Sequence, residues 1–189
     1  GFIELGLAPE LVQAVADLGY TEPTQVQTRA IPLAMGSGDD ASFIDLMVSS
    51  QTGSGKTAAF LLPVLHTLLR QQAEAEVAER AAFERAAAEA AARGEAPPKR
   101  PKRKNPTQAR NFKAATPGAL VLCPTRELAQ QVAHDAIDLV KHCKGLRIAN
   151  VVGGMPYQLQ IAKLQNANLV VATPGRLLDL KRSQQIKLD

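Results

Sequence analysis

The nine residues from Ser49 to Thr57 have the types and spacing of a phosphate-binding loop. Gly53 and Gly55 allow the backbone to curl so that its N–H groups point at phosphate oxygens. Lys56 can reach the β- and γ-phosphates of a nucleotide, and the hydroxyl of Thr57 can bind Mg²⁺. The other members of the predicted nucleotide-binding loop are Ser50, Gln51, Thr52 and Ser54. The competing interpretation is a glycine turn before an ordinary helix.

The segments on either side have the order that such a loop requires. An apolar run, Leu46–Ser49, predicts a strand, and a helical pattern begins at Thr57. The positive end of that helix dipole faces the bound anion. Ser50 stands where the pattern G-x-x-x-x-G-K-[ST] has its first glycine.

Composition restricts the class of protein. The 189 residues suit one domain with a core of its own. Cys123 and Cys143 have no metal or redox spacing, which favours a reduced, cytoplasmic protein. No apolar run has the length of a membrane span, and no signal peptide opens the chain, so we expect no membrane partner. The three histidines form no metal-ligand pattern: His66, His134 and His142.

Strand and helix patterns alternate along the chain. Besides Leu46–Ser49, the predicted strands are Ala119–Cys123, Arg147–Val152 and Asn168–Ala172. A helix follows Glu127, where apolar residues recur at helical spacing. This alternation predicts an α/β fold with a parallel sheet and helices on both faces. Ligands bind such sheets at the carboxyl ends of the strands.

Residues 71–117 interrupt the alternation and are predicted to be an insertion. Residues 71–98 contain 12 alanines, so the helix should continue to about Arg93 and end at Gly94 and Pro97-Pro98. Residues 99–113 follow with seven basic residues and no acid, and we expect them to be disordered or extended. The rest of the chain has a net charge of −3, against +4 for the whole. The basic run is either a solvated linker or a nucleic-acid contact.

Three further segments follow the later strands. They suit a phosphodiester backbone, because they combine hydroxyls, glycine N–H groups and two arginines. Since parallel strands end at one edge of a sheet, we expect the three segments to lie together. No aromatic residues are interleaved in them, so base recognition is not indicated. The candidate nucleic-acid residues are Pro124, Thr125, Arg126, Gly153, Gly154, Thr173, Pro174, Gly175 and Arg176.

With these segments in this order, the chain resembles the first RecA-like domain of DEAD-box RNA helicases. Residues 50–57 match motif I of that family, in which a small residue replaces the first glycine. Residues 124–129 match motif Ia, residues 153–154 match the GG motif, and residues 173–176 match motif Ib. The resemblance covers residues 1–189 except the 71–117 insertion and a short stretch near 37–42. It implies a RecA-like P-loop domain in which the insertion is helical and then basic.

Residues 19–27 resemble the family's Q motif, with Tyr20 where Phe is usual and Gln25 where Pro is usual. A Gln side chain offers a donor and an acceptor that match N6 and N7 of adenine, and an aromatic ring can stack on the base. The resemblance assigns adenine recognition to Gln27 and stacking to Phe2, and it places Tyr20 and Thr24 in the ATP site. The alternative for Phe2 is a terminal aromatic without a role.

The resemblance implies ATP and Mg²⁺ as cofactors and single-stranded RNA as partner. The family's Asp-Glu-Ala-Asp motif would be expected just after Asp189, where the sequence ends, and a second RecA-like domain should follow in the parent chain. We therefore expect the parent to be an ATP-dependent RNA helicase that hydrolyses ATP to unwind or remodel short duplexes. The chain itself should bind nucleotide without turnover, since it lacks the motif II carboxylates. A non-catalytic nucleotide- and RNA-binding module is the alternative, and the oligomeric state is left open.

Overall fold

The computed structural model of the protein describes residues 1–36, 44–102 and 112–189. These residues form one 3₁₀-helix, six α-helices and three β-strands. The helices are the 3₁₀-helix Phe2–Leu5, α1 (Pro9–Asp17), α2 (Gln25–Met35), α3 (Lys56–Ala92), α4 (Arg126–Leu139), α5 (Tyr157–Leu164) and α6 (Pro174–Arg182). The strands are β1 (Ala119–Leu122), β2 (Ile148–Val151) and β3 (Leu169–Ala172).

The three strands form a parallel sheet in the order β1-β3-β2. The central strand β3 is buried along its whole length, and its side chains alternate between two cores. Leu169 and Val171 pack with residues of α1 to α4, whereas Val170 and Ala172 pack with residues of α5 and α6. Helices therefore cover both faces of β3, as its unbroken apolar sequence predicts.

The predicted strand Leu46–Ser49 is wrong, because residues 44–50 adopt no regular secondary structure. Within the described residues, β1 pairs only with β3, and a cavity of about 720 Å³ is lined by residues of β1 together with Leu46 and Val48. The Met47 side chain is fully exposed. A strand requires a neighbour for its backbone N–H and C=O groups, and the apolar pattern of this segment carries no information about that neighbour.

Helix α3 continues past residue 71, as predicted. It runs for 37 residues, or about 55 Å, and ends close to the predicted Arg93. Gly94 then adopts a left-handed φ of +69°, and Glu95 N–H donates to the carbonyl of Ala90 at 2.8 Å. These are the backbone features of a Schellman cap, which stops the helix before Pro97.

Two predictions fall wholly or partly outside the described residues. The short stretch near 37–42 lies outside them, as do residues 103–111 of the basic run. The described ends of that run, residues 99–102 and 112–113, have no regular secondary structure. Over the parts of the chain that the structure describes, none of the helices combines the length and the apolar character needed to cross a bilayer.

Candidate nucleotide and nucleic-acid site

The predicted phosphate loop leads directly into α3. Gly53 and Gly55 both have left-handed φ angles, of +80° and +84°. Residues that carry a Cβ atom rarely adopt such angles. Gly55 is the N-cap of α3, and Lys56 is its first residue. Among the described residues, no backbone carbonyl accepts a hydrogen bond from the N–H groups of Gly53, Gly55, Lys56 or Thr57. The loop thus presents unpaired donors at the positive end of a helix, as an anion site requires.

The side chain of Lys56 folds over this loop. Its Nζ donates to the carbonyl oxygen of Ser50, and the Ser50 and Ser54 hydroxyls are 2.5 Å apart. A neutral carbonyl is a weaker partner for an ammonium group than a phosphate oxygen, so an incoming phosphate can replace it. Ser50, at the position of the missing first glycine, therefore supplies two of the contacts that organise the loop.

The predicted adenine-reading residue contacts the phosphate loop. Gln27 is 4% exposed, its Oε1 accepts from Thr24 N–H at 3.0 Å, and its Nε2 donates to the Gly55 carbonyl at 3.2 Å. Thr24 caps α2 in return, because its hydroxyl accepts from Gln27 N–H. The bonds of Oε1 with Thr24 and of Nε2 with Gly55 use one lone pair and one N–H of the Gln27 side-chain amide. The second N–H and the second lone pair are left for another partner.

Gly55 is required for this contact. A Cβ built on Gly55 would lie 2.4 Å from Gln27 Nε2 and 3.2 Å from Thr24 Cγ2. A Cβ on Gly53 would have nothing within 4 Å. The two loop glycines therefore share a backbone conformation but differ in how closely another segment approaches.

The two aromatic residues predicted for the ATP site have different environments. Tyr20 is 54% exposed and follows α1, where it is available to a ligand. Phe2 is 5% exposed and belongs to the main core, and its assignment to base stacking stays a prediction. The 3₁₀-helix directs this ring inward, because packing against apolar side chains stabilises it more than exposure at the terminus would.

The structure brings the three predicted nucleic-acid segments to one edge of the sheet. Residues 124–126 follow β1, residues 173–176 follow β3, and residues 153–154 follow β2. Backbone hydrogen bonds join the strand ends, since Cys123 N–H donates to the Ala172 carbonyl at 2.9 Å and Thr173 N–H donates to the Val151 carbonyl at 3.1 Å. The prediction that they share an edge is confirmed.

Motif Ia and the GG segment are in direct contact. The guanidinium of Arg126 donates through Nη1 to the Gly153 carbonyl at 3.4 Å. Gly154 has φ +81°, and a Cβ there would lie 2.4 Å from the same nitrogen. Thr125 caps α4 by accepting from Leu128 N–H at 3.3 Å. Glycine at position 154 thus leaves room for an exposed arginine above the end of the sheet.

Two residues near this edge were missed by the sequence analysis. Gln160 is 1% exposed, and its Nε2 donates to the carbonyl of Val152 at 2.5 Å, just before Gly153. Tyr157 lies beneath Arg176, whose guanidinium carbon is 5.5 Å from the ring centroid. The signals available were a glutamine among the apolar positions of α5 and one of only two tyrosines in the chain.

Ionisable groups outside the site have structural roles. Asp17, at the end of α1, accepts from His142 Nε2 at 2.5 Å and lies 3.1 Å from Lys141 Nζ. These partners, His142 first, lower the pKa of Asp17 to about 2. Burial lowers the pKa of His66, whose Nδ1 accepts from Ala8 N–H at 3.0 Å.

In the described ranges, no group of three His, Cys, Asp or Glu residues could hold a metal ion.

A family model described as "DEAD/DEAH box helicase" matches residues 24–188, which is most of the chain and includes every segment of this site except Phe2 and Tyr20. The chain belongs to the DEAD/DEAH box helicase family. It is 35% identical to "RNA helicase CrhR" of Synechocystis, over 100% of this chain and 28% of CrhR. It is 36% identical to "ATP-dependent RNA helicase DeaD" of Escherichia coli K12, over 96% of this chain and 22% of DeaD. The chain thus spans about a quarter of the length of these relatives.

Solved structures of the DEAD-box family have the same fold as this helicase domain. A DEAD box protein from Methanococcus jannaschii matches with a TM-score of 0.67 and 30% identity, over 99% of this chain and 38% of that one. Saccharomyces cerevisiae Dbp5 bound to RNA and ADP BeF3 matches with a TM-score of 0.66 and 28% identity, over 100% of this chain and 36% of that one. The predicted RecA-like α/β class is confirmed.

Proposed function

We propose that this domain is the ATP- and RNA-binding first RecA-like domain of an ATP-dependent RNA helicase. The observation that carries the proposal is the hydrogen bond between Gln27 Nε2 and the Gly55 carbonyl, 3.2 Å long. This bond joins the amide proposed to match adenine to the loop proposed to hold the phosphates. Family membership supports the same assignment.

In the ATP site, the loop N–H groups and Lys56 would bind the phosphates, and Gln27 would select adenine. Tyr20 and Thr24 complete the base side of the site, and the remaining loop residues, Ser50, Gln51, Thr52 and Ser54, complete the phosphate side. Thr57 offers a hydroxyl to Mg²⁺, which neutralises phosphate charge when bound. A hydroxyl directly beside a cradle of unpaired N–H groups fits a metal held mainly by the nucleotide itself.

In the RNA site, the sheet-edge segments would hold the phosphodiester backbone of a single strand. Arg126 and Arg176 supply charge-assisted donors, while the helix caps at Thr125 and Thr173 direct backbone N–H groups toward the same edge. Glycines 153, 154 and 175 have no Cβ and so allow close approach of the strand, and Pro124 and Pro174 belong to the same proposed surface. The contacts are to phosphate and sugar, so the proposed binding is independent of base sequence.

The whole protein is proposed to carry a second RecA-like domain and to hydrolyse ATP while it remodels short RNA duplexes. Residues 71–117 are proposed as an insertion in the first domain, because α3 continues well past the residues that pack on the sheet. A cytoplasmic setting is part of the proposal, and its support is that Cys123 and Cys143 are both free thiols.

The test is RNA-stimulated ATP hydrolysis by the whole protein. We expect turnover that single-stranded RNA increases and that Lys56→Ala abolishes. Arg126→Ala should raise the RNA concentration for half-maximal stimulation by about tenfold, because a charge-assisted contact is lost. The matched control is Arg147→Ala, an exposed arginine at the opposite end of the sheet. Nucleotide and RNA binding without any turnover would favour the non-catalytic module instead.

A further inference from the structure

Arg176 and Tyr157 form a stacked pair at the carboxyl edge of the sheet. The guanidinium carbon of Arg176 lies 5.5 Å from the Tyr157 ring centroid, and both residues are half-buried. Their backbones belong to different helices, α6 and α5, which follow different strands. The contact therefore depends on how the sheet arranges its loops and not on local sequence.

The Tyr157 ring is held at both ends. The ring itself packs against the core cluster between the sheet and α6, which includes Leu177 and Leu180. Its hydroxyl is 2.5 Å from Ser183 Oγ, and that serine hydroxyl is 2.9 Å from the Asp179 carbonyl. Ser183 has one proton to donate, and the carbonyl can only accept. The tyrosine hydroxyl therefore donates to Ser183, which donates onward to the last turn of α6.

Arg176 is held by the ring and not by a carboxylate. In the described part of the chain, no Asp or Glu oxygen lies within 4.0 Å of its guanidinium, and no hydrogen bond from it is formed. Arg126, the other arginine at this edge, differs because it donates to the Gly153 carbonyl. A flat aromatic face supports a guanidinium while leaving its in-plane N–H donors open to an anion.

We propose that Tyr157 is a positioning residue for RNA: its ring holds the Arg176 guanidinium in the orientation that binds a backbone phosphate. The inference rests on the proposed RNA-binding function of this edge. Preorganising a long arginine side chain lowers the conformational entropy lost when the phosphate binds. Tyr157 acts through Arg176 and makes no contact with RNA of its own.

The experiment is a double-mutant cycle on the whole protein, with a short fluorescent oligouridylate as the probe. Tyr157→Leu keeps an apolar side chain but removes the ring, and we expect RNA affinity to fall about two- to fivefold. Tyr157→Phe keeps the ring and should bind more tightly than Tyr157→Leu. In an Arg176→Ala background, Tyr157→Leu should cause no further loss.

Several results would overturn the proposal. Wild-type affinity in Tyr157→Leu would show that the ring has no part in binding. An equal loss from Tyr157→Leu with and without Arg176 would show that Tyr157 acts structurally or touches RNA itself. A loss in Tyr157→Phe as large as in Tyr157→Leu would assign the effect to the hydroxyl. If thermal melting shows that Tyr157→Leu does not fold, Tyr157→Met tests the same ring, and wild-type affinity in that variant overturns the proposal.

Different results would contradict the proposed RNA-binding function of this edge. If Arg176→Ala and Arg126→Ala both bind the oligouridylate as tightly as wild type, the sheet edge is not the RNA site, whatever Tyr157 does. If Arg176→Ala weakens binding and the Tyr157 variants do not, the RNA site stands and only the positioning role is lost.

Discussion

Gln27 and Gly55 are 28 residues apart in sequence, yet Gln27 Nε2 donates to the Gly55 carbonyl at 3.2 Å. The bond joins the start of α2 to the N-cap of α3. Any shift of the phosphate loop therefore moves a hydrogen-bond partner of the residue proposed to read adenine. Base selection and phosphate binding should respond together to changes at this contact.

The domain should bind ADP at least about tenfold more tightly than GDP, because guanine presents acceptors at both O6 and N7. One of these acceptors would face the Oε1 of Gln27. Titration calorimetry with both nucleotides measures the difference, and Gln27→Ala should reduce it while also weakening ADP. Equal affinities for ADP and GDP in the wild-type domain would contradict the role of Gln27.

Gly55→Ala should weaken ADP binding more than Gly53→Ala does. Both substitutions place a Cβ on a left-handed residue, at a cost of about 1 kcal/mol. Only the Cβ on residue 55 also meets Gln27 Nε2, at 2.4 Å. We expect the difference between the two variants to be about tenfold in ADP affinity, since a buried hydrogen-bonded amide must move. Two variants with the same affinity would show that Gln27 is not coupled to the loop.

Lys56→Ala should weaken ADP binding by about ten- to hundredfold and leave the thermal midpoint nearly unchanged. Lys56 contacts the Ser50 carbonyl at the mouth of the loop and contributes no side chain to either core. Its proposed partner is a phosphate, and a charge-assisted contact of this kind is worth about 1.5–3 kcal/mol. Calorimetry and thermal melting measure the two effects, with the exposed Lys163→Ala on α5 as control. Wild-type ADP affinity in Lys56→Ala would refute the loop assignment.

Asp17 should make stability depend on pH in the acid range. Its pKa is lowered from the ordinary 3.8 to about 2, first by His142 and then by Lys141. A lowered pKa means that the folded protein favours the carboxylate, so the stabilisation is complete above pH 3.8 and is lost as the pH falls through about 2. Asp17→Asn should therefore have a lower thermal midpoint than wild type near neutral pH and an equal one near pH 2. A midpoint difference that is independent of pH would exclude this ion-pair cluster as its source.

The basic run 99–113 should add RNA affinity that is independent of sequence and sensitive to salt. Seven positive charges without an acid release counterions when they bind phosphates, and each contact contributes about 0.7 to the slope of log affinity against log salt. Replacing the run in the whole protein by a neutral Gly/Ser segment of equal length should weaken RNA binding and flatten that slope. ADP affinity serves as the control and should not change. If RNA affinity and slope both stay the same, the run is a solvated linker.

Sequence alone determined the parts of this protein that depend on neighbouring residues. The three strands β1, β2 and β3 were predicted within a residue or two, because short apolar runs bounded by turn residues have few other structures available. The end of α3 near Arg93 was predicted from Gly94, since glycine adopts the left-handed cap at little cost. The phosphate loop was predicted from glycine spacing and from Lys56 and Thr57 for the same local reason.

Tertiary structure decided the features that depend on residues far apart in the chain. Leu46–Ser49 has a strand-like composition but no hydrogen-bonding neighbour in the described structure, and composition cannot supply one. Phe2 lies in the core and not at an open site, because the 3₁₀-helix packs its ring inward. The contacts of Gln27 with Gly55, and of Tyr157 with Arg176, form only when separate loops are brought to one place. Local pattern limits the backbone conformation of each segment, whereas the partners of each side chain are set by how the segments pack.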